Sequence, residues 1–355
     1  MSQHNKTDSK TNSRQNATKA GIDRIKNRRK SLPPQAYIQG IRSEDRIMLS
    51  RAITLAESAK PQDRQKAQAI IEGCMGHSVS SIRLGITGIP GVGKSTFIEA
   101  LGTHLLSSRN KLAVLAIDPT SSRSKGSILG DKTRMETLSN RDDVYIRPSP
   151  TGGSLGGVAR KTRETILLCE AAGFDTIIIE TVGVGQSEIA VHSMVDFFLL
   201  LMIAGAGDEL QGIKRGIVEM ADAIAVNKAD GDNVTKAQRA AAEYKRALHL
   251  YPPAKSGWQP KVNVCSAVTG KGIQKIWSTI EEYVKLTRKN GYFQENRKAQ
   301  AVHWMYETIE EELKNRFYSD KKIKNHLTQM ENRVRNGHTT SYKAASQLLQ
   351  MVQDS

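Results

Sequence analysis

The 355-residue sequence contains few cysteines and no long hydrophobic run, and both shortages restrict what the protein can be. Its three cysteines, Cys74, Cys169 and Cys265, lie far apart and form no CxxC pair. This spacing indicates neither a disulfide framework nor a zinc site, and it favours the reducing environment of the cytoplasm. The strongest apolar run, FFLLLMIA at residues 197–204, has the length of a buried strand and is too short to span a membrane.

The first thirty residues lack the apolar segment of a secretory signal and show no amphipathic pattern typical of a transit peptide. Residues 1–31 hold nine Lys or Arg and two Asp, so they contribute +7 (9 minus 2) to the formal net charge of +16. We therefore predict a disordered basic tail over residues 1–40. No nucleic-acid-binding motif accompanies these charges, which disfavours nucleic acid as a partner.

The periodicity of the apolar residues changes twice along the chain. Residues 41–80 show helical spacing, with Pro61 between two helices, and predict an N-terminal helical extension. Residues 81–290 alternate helical segments with seven short apolar runs: IRLGIT, KLAVLAID, DVYI, TIIIE, DFFLLLMI, AIAVN and KVNVCS. Such runs are typical of strands buried on both faces of a mostly parallel sheet, which predicts an α/β domain flanked by helices.

Beyond Gly291 the sequence predicts a C-terminal helical extension over residues 291–355, with a break at the NGH of residues 336–338. The first of its helices carries apolar residues at helical spacing: Val302, Met305, Ile309, Leu313 and Phe317. These side chains either close over the main domain or pair with a second copy, as a dimerisation arm. The sequence leaves both alternatives open.

A glycine-rich loop interrupts the first apolar run with GIPGVGKST, which fits the phosphate-binding pattern GxxxxGKS/T. The candidate nucleotide-binding residues of this loop are Gly88, Ile89, Pro90, Gly91, Val92, Gly93, Lys94, Ser95 and Thr96. Its glycines let backbone N–H groups surround phosphate oxygens, and the following helix directs its positive end to the same place. We expect Lys94 to reach the β and γ phosphates and Ser95 to ligate Mg²⁺.

Two acidic residues follow strands that lead to the same sheet edge. Glu180 ends the run TIIIE and is a candidate for metal support, directly or through water. Asp118 follows KLAVLAI, and Pro119 behind it ends the strand. We expect Asp118 to bind metal-bound water or to position the attacking water.

The stretch AIAVNKADGD indicates which base the nucleotide carries. A carboxylate at Asp230 can accept two hydrogen bonds from guanine, whereas adenine lacks that pair of donors. Asn227 would tie the loops together, and the stem of Lys228 would lie on the base plane. The later segment VNVCSAVTGKG places backbone N–H groups where they can meet the guanine O6, and the candidates are Ser266, Ala267 and Val268. Together the two segments predict GTP rather than ATP.

The motifs DPTSS, ETVGVGQSE, GAGDELQGIKRGI, NKAD and SAVTGKG, in this order over residues 40–320, resemble the MeaB/ArgK/MMAA family of GTPases. The resemblance implies a P-loop GTPase core of the SIMIBI type, with helical extensions, that works as a homodimer with GTP/GDP and Mg²⁺. It implies a chaperone that gates adenosylcobalamin delivery to methylmalonyl-CoA mutase and protects or reactivates the mutase. The mutase, and the adenosyltransferase that supplies it, are the partners implied.

The resemblance also assigns Asp118 and Glu180 as the magnesium-side acids. It assigns Asp208 and Lys214, in the segment AGAGDELQGIK, as the charged pair of a mobile loop that responds to the partner. The glycines of this segment permit alternative backbone states. Movement of Lys214 toward phosphate would couple partner binding to hydrolysis.

Three rival interpretations remain at this stage. A metal-insertion GTPase for a nickel enzyme shares the core architecture, but it calls for Cys or His clusters, and the eight histidines show no ligand spacing. An ATP-dependent kinase of transport proteins conflicts with a guanine-reading Asp230. A nucleic-acid-associated GTPase that uses the basic tail is the third. No residue is assigned as an arginine finger; Arg123 and Arg134 are the candidates.

Overall fold

The computed structural model describes residues 32–76, 80–108, 110–117, 135–148, 155–181, 187–205, 215–252 and 254–353. The described strands are β1 (Ile82–Gly88), β2 (Leu112–Ile117), β3 (Val144–Arg147), β4 (Thr176–Thr181), β5 (Phe197–Ile203), β6 (Ala223–Asn227) and β7 (Lys261–Val264). The described helices are α1 (Pro34–Arg42), α2 (Arg46–Glu57), α3 (Pro61–Cys74), α4 (Lys94–Leu106), α5 (Glu136–Ser139), α6 (Leu155–Ala171), α7 (Ser187–His192), α8 (Arg215–Met220), α9 (Val234–Leu248), α10 (Ile273–Lys289), α11 (Tyr292–Ser319), α12 (Lys321–Arg335) and α13 (Ser341–Gln353).

The seven strands form one parallel sheet in the order β3-β2-β4-β1-β5-β6-β7. This confirms the predicted α/β class and the seven apolar runs. Alternate residues of each strand point to opposite faces. In β5, Phe197 and Leu199 pack with α4 and α10, while Phe198 and Leu200 face the opposite layer, which contains α6 and α9. Because the strands are parallel, all their carboxyl ends meet at one edge, where ligands of such sheets collect.

The N-terminal extension begins earlier than the sequence predicts. Helix α1 starts at Pro34, a favoured residue for a first helical position, and it buries Tyr37 and Ile41 against α2 and α3. The predicted tail boundary at residue 40 is therefore wrong, because residues 34–40 already belong to α1 and Tyr37 among them is buried in the core. Pro61 does separate two helices, but the extension contains three described helices.

The first C-terminal helix, α11, runs for 28 residues and contacts the main domain through a different face from the one the sequence suggests. Phe293 and Gln300 are buried, and the indole of Trp304 donates a hydrogen bond to the backbone carbonyl of Ser193 at 2.8 Å. The apolar row Val302, Met305, Ile309 and Leu313 is 47–60% exposed. The alternative in which this row closes over the main domain is therefore wrong. Its last member, Phe317, packs against the small core of α12 and α13.

A buried ionic network fastens α11 to the amino-terminal edge of the sheet. The Arg83 guanidinium donates two 2.8 Å hydrogen bonds to the Glu170 carboxylate, and Arg297 on α11 holds Asp196 in the same way, with Nε 2.7 Å from Oδ1. Burial alone would raise the pKa of Glu170, but its hydrogen bonds and charge contacts, led by Arg83, outweigh burial and lower the pKa. The ionised carboxylate therefore stabilises the fold above its ordinary pKa of 4.5, and this contribution is lost as pH falls.

We predict that Arg297→Met lowers the free energy of unfolding by about 3–5 kcal/mol, because it leaves the Asp196 carboxylate buried without its cation. Urea denaturation at pH 7, followed by circular dichroism, measures the change. Lys298→Met is the matched control: its exposed pair with Glu295 lies one residue away and contributes less than about 1 kcal/mol. Equal effects of the two substitutions would contradict the assigned role of the network.

Candidate nucleotide-binding site

The phosphate-binding loop connects the end of β1 to the start of α4, as the sequence predicts. Two of its glycines are required by the backbone. A Cβ on Gly88 would lie 2.5 Å from the carbonyl oxygen of Leu201, and Gly93 has φ +90° with Asn227 Nδ2 3.1 Å from the position of a Cβ. Because Gly93 also precedes the first residue of α4, the loop and the free N–H groups of the helix face the same space.

Lys94 is the cation of this loop. Its Nζ donates a hydrogen bond to the carbonyl oxygen of Gly88 at 2.8 Å, so the ammonium folds back over the loop. Burial lowers the pKa of Lys94, and the charges of Glu180 and Glu188 oppose that effect. The negative charges of Glu180 and Glu188 therefore reach the ammonium of Lys94 in the phosphate-binding loop.

The residues around Lys94 suit a magnesium ion. Glu180 is buried at the carboxyl end of β4, Glu188 is fully buried in the first turn of α7, and Ser95 is half-buried in the first turn of α4. Hard oxygen ligands and a few carboxylates are what Mg²⁺ prefers next to phosphates. The hydroxyls of Thr87 and Thr181 are 2.9 Å apart and tie β1 to β4 directly beside Glu180. The described part of the site therefore fits the predicted metal.

The side chain of Asn227 connects the phosphate-binding loop to the loop after β7. Its Nδ2 donates to the carbonyl oxygen of Val92 at 2.9 Å, and its Oδ1 accepts from the backbone N–H of Ala267 at 3.0 Å. The thiol of Cys265 also lies 3.6 Å from Oδ1. Asn227 is 1% exposed, so both ends of the amide are satisfied inside the protein. This is the role that the sequence predicts for it.

Asp230 lies where a carboxylate can read a base. The hydroxyl of Ser266 donates to its Oδ2 at 2.6 Å and accepts in turn from the backbone N–H of Thr269 at 3.2 Å. Lys228 adopts φ +59°, a conformation that most residues avoid, and Asn233 Nδ2 donates to its carbonyl at 2.7 Å. These contacts hold the turn that separates the exposed Lys228 from the half-buried Asp230.

The structure narrows the predicted set of backbone donors for the base. The N–H of Ser266 donates to the carbonyl of Lys271 at 2.9 Å, and the N–H of Ala267 is already bonded to Asn227. Within the described residues no hydrogen bond involves the N–H of Val268, whose residue is 80% exposed. Of the three predicted donors, Val268 therefore remains the candidate that a base carbonyl could engage without breaking a bond.

Several predicted residues lie outside the described parts of the chain. These are Asp118, Asp208, Lys214 and the arginine-finger candidates Arg123 and Arg134. Conversely, the sequence does not single out Glu188, although its acidic side chain acts on Lys94. A carboxylate in the first turn of a short helix, three residues after a glycine, resembles an ordinary helix cap, and only the three-dimensional position shows that it faces the phosphate loop.

A glycine loop between a parallel strand and a helix, a lysine within it, and a carboxylate held at a second loop define a P-loop nucleotide-binding protein. Residues 49–322 match the family model described as "Methylmalonyl Co-A mutase-associated GTPase MeaB". The chain therefore belongs to the MeaB family, as its motifs indicate.

Named relatives agree with this family. The chain is 49% identical over 312 residues to "Probable GTPase Rv1496" of Mycobacterium tuberculosis, covering 88% of this chain and 93% of the relative. It is 42% identical over 316 residues to "GTPase ArgK" of Escherichia coli, with 89% and 96% covered. It is 44% identical over 320 residues to the mouse protein "Methylmalonic aciduria type A homolog, mitochondrial", with 87% and 77% covered.

A solved structure supports the same fold. The crystal structure of a protein called LAO/AO transport system kinase superposes with a TM-score of 0.72 at 36% identity, covering 91% of this chain and 100% of that one. The shared P-loop architecture is therefore established over nearly the whole length of the chain. Among the described helices, none combines the length and the apolar character needed to cross a membrane.

We predict that Asp230→Asn weakens GTP binding by at least about 100-fold, because the charged hydrogen bonds to the guanine N1–H and N2–H₂ are lost. XTP should bind the variant better than GTP does, since an amide can donate to the xanthine C2 carbonyl. Calorimetric titrations with both nucleotides measure these affinities. The exposed Asp232→Asn is the control and should leave the GTP affinity unchanged. A variant at position 230 that still prefers GTP would contradict the base assignment.

Proposed function

We propose that this protein hydrolyses GTP and uses the two nucleotide states to gate adenosylcobalamin loading of methylmalonyl-CoA mutase and to protect or reactivate that mutase. The observation that supports this most is the bridge made by Asn227 between the phosphate loop and the base loop, within a family of mutase-associated GTPases. That bridge sets the two ends of one nucleotide site at a fixed separation. The adenosyltransferase that supplies the cofactor is the second partner proposed.

Hydrolysis would depend on positioning and on charge rather than on covalent chemistry. The Lys94 ammonium would exchange its hydrogen bond to the Gly88 carbonyl for the β and γ phosphate oxygens. Ser95 and Glu180 would hold Mg²⁺, with Asp118 as the proposed further acid, and the ion would supply positive charge to the phosphates. The N–H groups at the start of α4 add fixed positive ends of dipoles.

Helix α7 offers a physical link from the nucleotide to a partner. Glu188 is fully buried and acts on Lys94, whereas the next residue, Ile189, is 64% exposed. A change in charge when the γ phosphate leaves would act on Glu180 and Glu188, the two carboxylates that act on Lys94. A movement of Glu188 would reach Ile189, because both lie in one short helix. Asp208 and Lys214 are proposed to form the charged pair of a second segment that responds to the partner and couples partner binding to hydrolysis.

The rival interpretations are less well supported. Membership of the MeaB family favours a cobalamin mutase over a nickel enzyme as the partner. A kinase that uses ATP would leave the Asp230 carboxylate facing a base without the matching pair of donors. The Asp230 carboxylate, which the Ser266 hydroxyl holds by a hydrogen bond, therefore favours guanine over adenine.

We predict that the full-length chain releases phosphate from GTP and that an adenosylcobalamin-dependent methylmalonyl-CoA mutase raises this rate. The mutase should also co-elute with the chain in a manner that differs between GDP and a non-hydrolysable GTP analogue. Gel filtration and a phosphate-release assay measure the two effects.

The matched variants for this experiment are Glu180→Gln and the exposed Glu136→Gln. Glu180→Gln should lower phosphate release by about 100-fold, because it removes a buried carboxylate from the phosphate side of the site. Glu136→Gln should behave as the parent protein. Equal mutase binding in both nucleotide states, with no stimulation of hydrolysis, would overturn the proposed switch.

We also propose that the protein is a homodimer through the exposed row of α11. Val302, Met305, Ile309 and Leu313 recur every three or four residues, which places them on one stripe of the helix. The opposite side of α11 already contacts the main domain through Gln300 and Trp304. A second copy would bury the stripe, as apolar helix faces require.

We predict that the parent chain sediments as two copies and that Ile309→Glu sediments as one, since a carboxylate cannot be buried there without a cation. Lys314→Glu is the control, because it introduces a carboxylate on the same helix but off the stripe. Sedimentation velocity gives the masses. A dimer that survives Ile309→Glu unchanged would show that another surface joins the copies.

A further inference from the structure

A second cavity lies at the edge of the sheet opposite to the nucleotide site. It has a volume of about 270 Å³ and is bounded by the amino-terminal ends of β5 and β6 together with α7, α10 and α11. Its polar lining includes Asp222, Tyr283, Tyr292 and Gln300, together with the histidines His192 and His303. One strand length, about 20 Å, separates this edge from the phosphate loop, so the cavity is not part of the site described above.

Gln300 presents an unsatisfied acceptor to this cavity. The side chain is 7% exposed, and its Nε2 donates to the carbonyl of Val195 at 2.7 Å. A backbone carbonyl can only accept, so this bond fixes the orientation of the amide. The other end, Oε1, is buried and has no hydrogen-bond partner among the described residues. A buried acceptor without a donor is costly, and a bound donor would remove that cost.

Asp222 supplies a carboxylate to the same wall. Its Oδ2 accepts from the backbone N–H of Phe198 at 2.8 Å, and in the described parts of the chain no Lys, Arg or His forms an ion pair with it. Burial raises the pKa of Asp222 to about 7, although the bond from Phe198 opposes this. Burial, and next the charge of Asp222, also raises the pKa of Tyr283 and Tyr292. The carboxyl is therefore close to both phenol groups.

The cations near the cavity are engaged elsewhere. The Arg297 guanidinium binds Asp196, Glu170 and Ser81, so the negative charge of Asp196 is already compensated. Two histidines also line the cavity: His303 Nε2 lies 4.0 Å from Glu307 Oε1, and burial lowers the pKa of His192, which favours its neutral form. On this wall the Asp222 carboxyl is an acidic group and Gln300 Oε1 is a buried acceptor without a partner among the described residues, and the rings of Tyr283 and Tyr292 line the same cavity. Carboxylate, amide carbonyl and aromatic rings together are the groups that recognise an organic cation.

We propose that this cavity binds a small organic cation with N–H donors, an alkylammonium or guanidinium group, through Asp222 and Gln300. The cation would compensate the carboxylate and donate to the buried amide oxygen in one step. The volume is several times the roughly 30 Å³ that one water molecule occupies in the liquid, so such a group fits. The proposal concerns binding only and does not depend on GTP hydrolysis.

The three tryptophans of the chain provide the measurement. The indole of Trp258 donates to the backbone carbonyl of Asp222 at 2.9 Å, and the indole of Trp304 donates to the carbonyl of Ser193, another wall residue. Trp277 lies in α10 and packs against the core on the α4 side of the sheet. It does not line the cavity and serves as the internal reference. Methylguanidinium, added to the ¹⁵N-labelled full chain, should shift the indole N–H signals of Trp258 and Trp304 and leave that of Trp277 in place.

Methylurea is the matched probe, since it has nearly the same shape without the charge, and it should bind at least about tenfold more weakly. Asp222→Asn should remove the preference for methylguanidinium, whereas the exposed Glu310→Gln should keep it. Equal responses to both probes would show that the cavity does not recognise the charge, and no response would show that it binds neither probe. Either result would overturn the proposal. If dilution of the protein alone shifts both indoles, the cation is a side chain of a second copy, which also overturns a free small ligand.

Discussion

The amide of Asn227 connects the phosphate loop to the loop after β7, the two loops that we propose hold opposite ends of one nucleotide. Its NH₂ group bonds the phosphate loop at Val92, and its oxygen bonds the base loop at Ala267. Each bond contributes about 1 kcal/mol net, but the loss of either would leave a buried polar group at a cost of about 1–3 kcal/mol. The separation of the two loops is therefore set by one side chain that no conservative replacement can reproduce.

The parallel sheet makes this bridge possible. Asn227 is the last residue of β6, and two backbone hydrogen bonds bring the loop after β7 to it. The N–H of Cys265 donates to the carbonyl of Val226 at 2.9 Å, and the N–H of Ala229 donates to the carbonyl of Cys265 at 3.0 Å. Gly272 lets the backbone after this loop pack closely against the end of β7, since a Cβ at this position would lie 2.4 Å from the carbonyl oxygen of Val264. The β1–α4 turn reaches the site from the centre of the sheet. Three strand ends thus determine one ligand-binding edge.

Local patterns in the sequence carry much of this arrangement. The seven strands and the phosphate loop follow from short motifs whose neighbours in sequence are also neighbours in space. The link made by Asn227 joins residues 135 and 40 positions apart, and the sequence predicts it from the order of the NKAD motif and the phosphate loop. The start of α1 at Pro34 is missed because its apolar residues are sparse and follow a polar tail. Glu188 resembles a helix cap in the sequence, and only the fold brings its charge to act on Lys94.

Contacts between distant segments cannot be read from local patterns. Arg297 meets Ser81 across 216 positions, and Gln300 meets Val195 across 105. The order of the strands, with β4 between β2 and β1, is equally non-local, because all the buried strands have similar apolar sequences. Local spacing also fails to show which face of α11 packs on the domain. That face contains Gln300 and Trp304, whereas the apolar row that begins at Val302 is exposed.

The most direct test of the central claim is calorimetric titration of the unmodified full-length chain with GTP, GDP and ATP in the presence of Mg²⁺. If the phosphate loop and the base loop form one guanine-nucleotide site, GTP and GDP bind at one site per chain and ATP binds much more weakly. ATP binding as tightly as GTP, or no heat with either guanine nucleotide, would contradict the account.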